Sequence, residues 1–329
     1  MSQFGTEFCS DFATARFEDG AWQPPTIEPL GPVALHPASH VLHYASTCFE
    51  GFKAYRWKDG KGRIFRMHDH VERMRTSAAS MRLPVPPAEL LTGMVVDLVR
   101  THVADIPEPP SSLYVRPTLI GTTANVGAAA APASEALLFV LISPVGDYFA
   151  GGIRPLALLV DDARARSTVQ LGSTKTGGNY AAALGPTLDA RAAFGVDQVL
   201  FCPGGDVQET GAANFLLITG EEVITKPLDA SFLHGITRAS TLTLAADLGY
   251  RVNERNFTVD ELLAWAPTHE AALSGTAAGL TPVGTLVYRG RKIAVRDGQG
   301  GPNTAKLRKA LQDIHHGDAP DTHHWLSVV

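Results

Sequence analysis

The longest apolar run in the chain is ALLFVLI at 136–142, the length of one buried strand. A helix crossing a bilayer needs ~20 such residues, so this limit disfavours membrane insertion and leads to the expectation of a packed soluble core. A second strand-length run lies at 113–120, across the Gly/Ala-rich loop 121–133. Strand pieces are expected at 40–44 and 63–65. Val71, Met74, Ala78 and Met81 recur at spacings of three and four, which predicts a helix over 70–81. Leu90, Leu91, Met94, Val95 and Leu98 predict another over 90–103. No repeat of 20–50 residues is visible, which sets aside solenoids and propellers.

The Pro and Gly punctuation of SPVGDYFAGG at 143–152 marks an interdomain crossing. With 329 residues and ~150 per domain, two domains are expected: a small one over 1–142, a connecting loop at 143–153 and a larger one over 154–329. The second begins with a strand at 154–161, a loop to Lys175 and a helix over 180–194. Two hairpins follow: 198–202 turns through PGGD into 207–219, which leads into 223–226. Thr258 and Glu261 have the spacing of a capping box, and 303–314 reads as a terminal helix. The mixture predicts an α+β (mixed α/β) fold, not an orderly doubly wound sheet.

Charge narrows the partners. With 28 basic and 33 acidic residues, the net charge of −5 offers no global field for nucleic acid or anionic lipid. Charged residues make up 19% of the chain, below the ~25% usual for soluble domains, which fits a large core or a subunit interface. Three cysteines without C-x-x-C spacing argue against a disulfide framework or zinc ribbon, and the N-terminus lacks the regions of a signal peptide. A cytoplasmic protein is expected. His269-Glu270 begins a zincin motif, but Leu273 stands where the second histidine is needed. His315, His316, His323 and His324 lie in a polar tail and read as solvated, so no metal is expected. The G-x-x-x-x-G-K-[ST] and G-x-S-x-G motifs are absent.

Chemistry gathers in four fragments. Lys175, in STKTGGNY at 173–180, is hemmed in by small residues before a helix. It reads either as a loop lysine at the surface or as an amine kept neutral for attack on a carbonyl. Glu209 is the lone acid between a hairpin turn and an apolar strand, either solvated or a fixed anion able to hold a pyridinium proton. HGITR at 234–238 opens a helix whose free N–H groups suit a phosphate, or form an ordinary cap. SGTA at 274–277 follows a strand, with amides able to face an anion.

In this order and at these intervals, STKTGGNY, QETGAANF, HGITR and SGTA resemble the branched-chain amino acid aminotransferases, pyridoxal-phosphate enzymes of fold type IV. LHYASTCFEGFKAYR (42–56), HVERMRTSA (70–78), LYVRPTLIG (113–121) and SPVGDYF (143–149) are similar to the family's small-domain segments. The likeness extends over essentially the whole chain and leans to the eukaryotic-type branch. It implies a small α/β domain and a larger one with a β-barrel-like sheet and helices.

The resemblance implies pyridoxal 5'-phosphate joined to Lys175, which then moves the proton between substrate Cα and cofactor. Glu209 would pair with the pyridine nitrogen and Tyr180 with the phenolic oxygen. Arg73 would clamp the phosphate, with Gly235, Ile236, Thr237, Gly275 and Thr276. Thr276 and Ala277 would meet the substrate α-carboxylate. Tyr44, Phe49, Tyr148 and Tyr180 would line the side-chain pocket, and Tyr114 and Arg116 would stand near substrate carboxylates. Substrates would be branched-chain amino acids and 2-oxo acids, turned over by ping-pong transamination in a homodimer. D-amino acid transamination and aminodeoxychorismate lysis share the lysine and phosphate site; the aromatic and SPVGDYF segments favour the branched-chain activity. Mammalian members carry a C-x-x-C switch where this chain has Ala278-Gly279-Leu280-Thr281, so no thiol switch is expected there.

Overall fold

The computed structural model describes residues 4–146 and 153–329; Tyr148, expected to line the substrate pocket, lies outside them. The chain forms two compact units. One comprises Met1–Tyr148, Thr174–Gly177 and Ile314–Val329, the other Phe149–Ser173 and Gly178–Asp313. The first unit therefore takes in two short stretches from beyond the 143–153 segment. Hydrogen bonds show why: Leu326–Val328 pairs antiparallel with Gly62–Phe65, and the Thr176 side chain donates from Oγ1 to the Thr47 carbonyl at 2.8 Å.

The first unit is built on an antiparallel sheet. Its order is Leu326–Val328, Gly62–Phe65, Phe52–Arg56, Ser112–Gly121, Ala136–Val145, Asp11–Glu18, Ala21–Trp22. Thr47–Phe49 also pairs with Ser112–Gly121, and Thr26–Pro29 with Asp11–Glu18. The two long apolar strands pair without a break from Ser112↔Val145 to Gly121↔Ala136. Helices Met67–Ser80 and Ala88–Thr101 add their apolar stripes, Val71, Met74 and Ala78 with Leu91, Met94, Val95 and Leu98, to the same core. The expected strand at 40–44 is instead a short helix, His40–Tyr44. Ala45 ends it in a left-handed conformation, and His40 Nδ1 bonds Ser46 Oγ at 2.9 Å. The Ala45 N–H closes the last turn on the Val41 carbonyl, a local backbone bond that takes the place of strand pairing there.

The second unit has a mixed sheet running Glu209–Thr210, Gln198–Phe201, Leu156–Asp161, Gly279–Tyr288, Glu270–Gly275, Asn214–Ile218, Glu222–Thr225, Arg251–Glu254. Glu209–Thr210 also pairs with Asn214–Ile218, so the first six strands close on themselves in the barrel-like manner expected, removing their edges. Closure depends on a turn that periodicity hid. The expected continuous strand 207–219 is two strands folded back on each other. Thr210 N–H donates to the Ala213 carbonyl at 3.0 Å, and Thr210 Oγ1 accepts from Ala213 N–H at 3.1 Å. The small residues Gly211, Ala212 and Ala213 permit the reversal, which sets Glu209 opposite Asn214.

Two helix starts differ in how far sequence revealed them. Thr258 Oγ1 accepts from Glu261 N–H at 3.2 Å and caps Val259–Trp265 as its spacing predicts. Pro302–His316 is capped from a distance: Glu270 accepts from the N–H groups of Asn303 and Thr304 at 3.1 and 2.8 Å. The expectation of solvated tail histidines fails for His315. It is buried, stacked on Tyr55 with ring centroids 4.4 Å apart and edge-on to Phe65. Burial holds its pKa well below the usual histidine value.

Candidate active site

Lys175 belongs to the first unit and is fixed through its backbone. Its N–H donates to Ser77 Oγ at 3.1 Å, and its carbonyl accepts from Phe49 N–H at 3.0 Å. The half-buried side chain is thereby aimed from a rigid base, its Nζ 5.0 Å from the Phe49 ring centroid. Arg116 approaches the same ring, Cζ at 4.7 Å, and its Nη2 donates to the Tyr114 hydroxyl at 2.7 Å. Tyr114 and Arg116 are two apart on one strand and so share a face. A Cβ on Gly51 would stand 1.8 Å from the Tyr114 hydroxyl, so any side chain there would have to displace the tyrosine ring. Four of the expected residues thus meet around Phe49. Tyr44 donates its hydroxyl to the Val126 carbonyl.

Arg73 is half-buried on the helix Met67–Ser80. Its Nε and Nη2 donate to the two oxygens of Glu50 at 2.6 and 2.9 Å, a bidentate pair. Glu50 is wholly buried and also bonds His70 Nδ1 at 2.7 Å and Gly51 N–H at 3.1 Å. Burial alone would raise the Glu50 pKa. The Arg73 and His70 charges and hydrogen bonds outweigh it and hold the carboxyl far below its usual range. Burial lowers the His70 pKa, against the pull of Glu50.

In the second unit Glu209 is buried and held on three sides. Oε1 accepts from Leu233 N–H at 2.9 Å, and Oε2 from Asn214 Nδ2 at 3.0 Å. Arg166 Nε lies 2.6 Å from Oε1, out of line for a hydrogen bond, so that contact is an ion pair. Asn214 Nδ2 also donates to the Leu233 carbonyl at 2.8 Å. Tyr180 is half-buried in the first turn of Gly177–Phe194.

The anion-facing turns are present in the same unit. Gly235 is the N-cap of Ile236–Asp247 and supplies no side-chain bond, which leaves the first-turn amides of Ile236 and Thr237 without a side-chain cap. A Cβ on Gly235 would meet Asn214 Oδ1 at 1.9 Å. Gly275, Thr276 and Ala277 lead from Glu270–Gly275 into a turn closed by Gly279, whose φ of +66° is left-handed. Ser274 Oγ is buried with no hydrogen-bond partner among the described residues. A buried anion, amides at an uncapped helix start and an unsatisfied hydroxyl suit a phosphorylated heterocycle.

The model of the amino-transferase class IV family matches residues 47–286. The chain is a class IV aminotransferase. It is 37% identical to a probable branched-chain-amino-acid aminotransferase of Streptomyces coelicolor, covering 99% of this chain and 92% of that one. It is 34% identical to branched-chain-amino-acid transaminase 1 of Bacillus subtilis, over 99% and 94%. Among solved structures, a branched-chain aminotransferase from Thermoproteus uzoniensis with norvaline superposes with a TM-score of 0.78 at 27% identity, over 97% of this chain and 99% of that one. The T.th. branched-chain amino acid aminotransferase with pyridoxamine 5'-phosphate gives a TM-score of 0.81 at 28% identity, over 98% and 99%. The α+β architecture is the fold type IV of these aminotransferases.

Glu50, Ser77, Arg166 and Asn214 orient Arg73, Lys175 and Glu209 in this aminotransferase. Glu50 and Asn214 are polar residues beside apolar ones and so leave a local signal in the sequence; Arg166 leaves none. Among the described residues, one group of potential metal ligands lies apart from these. The ligand atoms of Cys9, His102 and Asp105 fall within 4.8 Å of one another. His102 already joins Asp105 at 2.7 Å and Asp11 at 3.0 Å, which accounts for both ring nitrogens. No described helix is long and apolar enough to cross a membrane.

Proposed function

We propose that this chain is a pyridoxal 5'-phosphate-dependent transaminase. It passes the amino group of leucine, isoleucine or valine to 2-oxoglutarate and returns branched 2-oxo acids and L-glutamate. The carrying observation is the arrangement around Phe49. An apolar ring with the Lys175 amine on it and the Arg116 guanidinium 4.7 Å from its centre suits two kinds of side chain. A branched alkyl group gains by covering the ring, while the distal carboxylate of glutamate gains a charge-assisted bond to Arg116 beside Tyr114.

When bound, the cofactor supplies an electron sink for charge developing at Cα. Lys175 is the attachment point and moves the proton at Cα. Glu209 holds the pyridine nitrogen's proton, and Tyr180 bonds the phenolic oxygen. Arg73, the amides of Ile236 and Thr237, and Gly235, Gly275 and Thr276 hold the phosphate. Thr276 and Ala277 receive the α-carboxylate, and Tyr44 and Phe49 line the side-chain pocket.

A homodimer belongs to the same reading. Ile27, Leu30 and Val33 are exposed apolar side chains of the first unit that a second copy would cover. Cys9, Cys48 and Cys202 are free thiols, which fits a reducing cytoplasm.

The test is borohydride reduction of cofactor-loaded protein, which should trap the adduct on Lys175, followed by half-reactions with L-leucine, D-alanine and aminodeoxychorismate. Rapid conversion of L-leucine alone is expected. Turnover of D-alanine with none of L-leucine would overturn the substrate, and no adduct on Lys175 would overturn the mechanism.

A further inference from the structure

Arg166 is the cation that Glu209 keeps beside it. Its side chain is 3% exposed, and it comes from a segment held against the loop that leads to Leu233. Nη2 donates to the Gly172 carbonyl at 2.9 Å. Gly172 itself admits no side chain, because a Cβ would lie 2.3 Å from the Ala230 carbonyl oxygen and from the Ser231 carbonyl carbon. Leu233, two residues after Ser231, donates its N–H to the same Glu209 oxygen that Arg166 approaches. The arrangement is a closed ring of backbone and side-chain contacts of which the carboxylate is one link.

Other charged groups on neighbouring segments are turned elsewhere. Arg238 bonds Glu254 and the Lys226 carbonyl, both at 2.7 Å. His234 bonds the Asp229 carbonyl at 2.7 Å, and Arg164 bonds Asp161 at 2.6 Å. Asn214, which also bonds the carboxylate, is neutral.

We propose that Arg166 is a positioning residue for Glu209, fixing the carboxylate's orientation and competing with the cofactor's pyridinium for its negative charge. The inference rests on Glu209 being the partner of the pyridine nitrogen. Two physical consequences follow. A buried carboxylate without a cation is costly, so Arg166 keeps Glu209 charged and in place before the cofactor arrives. Once the cofactor is bound, a second cation at 2.6 Å weakens the carboxylate's hold on the ring proton, since unit charges at such separations interact strongly outside bulk water. The ring nitrogen then loses its proton at lower pH than a lone buried glutamate would allow.

The experiment uses holoenzyme loaded with cofactor labelled with nitrogen-15 in the ring, whose chemical shift reports protonation of that nitrogen across a pH titration. In Arg166→Met the ring should hold its proton about tenfold more strongly, a midpoint about one pH unit higher. Arg166→Lys, which keeps the charge, should titrate close to the unsubstituted protein. An Arg166→Met midpoint equal to that of the unsubstituted protein overturns the proposal. If Arg166→Met does not fold, Arg166→Gln replaces it with the same expectation, and Arg166→Lys and Arg166→Gln titrating alike overturns the proposal. Glu209→Gln tests the underlying reading separately, and should strip the ring proton across the neutral range. A Glu209→Gln signal that matches the unsubstituted protein would remove Glu209 as the nitrogen's partner. A normal Glu209→Gln response with unmoved Arg166 variants would remove only the role of Arg166.

Discussion

Arg73 and Glu50 face each other as a two-bond fork, Nε and Nη2 at 2.6 and 2.9 Å from the two oxygens of a carboxylate with no exposed surface. Removing one partner of such a pair leaves the other charged and buried. Glu50→Gln should therefore cost on the order of 3–5 kcal/mol at neutral pH. The folded pKa lies below the ordinary 4.5, so this contribution is complete above pH 4.5 and is lost as the pH falls. Burial also lowers the His70 pKa below its ordinary 6.5, which acts in the same direction. Urea unfolding at pH 7 and pH 3.5 checks this: the gap between Glu50→Gln and the unsubstituted protein should narrow at the lower pH, and an equal gap at both would contradict it.

Gly51 controls the Tyr114–Arg116 pair. Adding a methyl group 1.8 Å from the Tyr114 hydroxyl must push the ring aside and break the 2.7 Å bond from Arg116. Gly51→Ala should raise KM for 2-oxoglutarate by roughly tenfold, the value of one charge-assisted bond, and KM for leucine much less. Steady-state kinetics with each substrate varied in turn measures the ratio, and equal increases would show that Tyr114 and Arg116 do not serve the second carboxylate.

At Gly235 the neighbour is Asn214 Oδ1, 1.9 Å from where a Cβ would stand. Gly235→Ala has to displace either the amide or the helix start. Strain of this kind costs about 1–3 kcal/mol. Because Asn214 bonds Glu209, cofactor affinity should fall at least tenfold along with the melting temperature. Fluorescence titration with pyridoxal 5'-phosphate and a thermal melt provide the two readings. A lower melting temperature with unchanged affinity would separate this turn from the cofactor.

All three thiols should resist alkylation in the folded protein. Burial pushes Cys9 up to about 11 and Cys48 up to about 12, and it raises Cys202 as well. Because the thiolate is the reactive form, a raised pKa and buried sulfur both slow attack. Iodoacetamide at pH 8 followed by mass spectrometry should find little modification before denaturation and three adducts after it. Rapid labelling of one native cysteine would show that its segment opens.

Much of the architecture is legible in the apolar pattern. The helices Met67–Ser80 and Ala88–Thr101, the paired strands Ser112–Gly121 and Ala136–Val145, and the Thr258 cap all follow from spacing within a few residues. Three segments depart from the pattern. At 40–44 the chain closes a helical turn on itself through Ala45 N–H and the Val41 carbonyl, and at 211–213 small residues allow a reversal inside what looks like one apolar strand. His315 is polar in sequence but buried because Tyr55 and Phe65 cover it.

By itself, the sequence determined the chemical inventory. Lys175, Glu209, Tyr180, Arg73 and the glycine turns are local motifs whose residue types and order carry meaning without any contact being known. The tertiary structure decided which groups support them. Glu50 reaches Arg73 across 23 positions, Arg166 reaches Glu209 across 43, and Ser77 reaches Lys175 across 98. Buried charges and amides must find partners wherever the fold brings them, and sequence spacing does not encode the distances that sheet pairing creates.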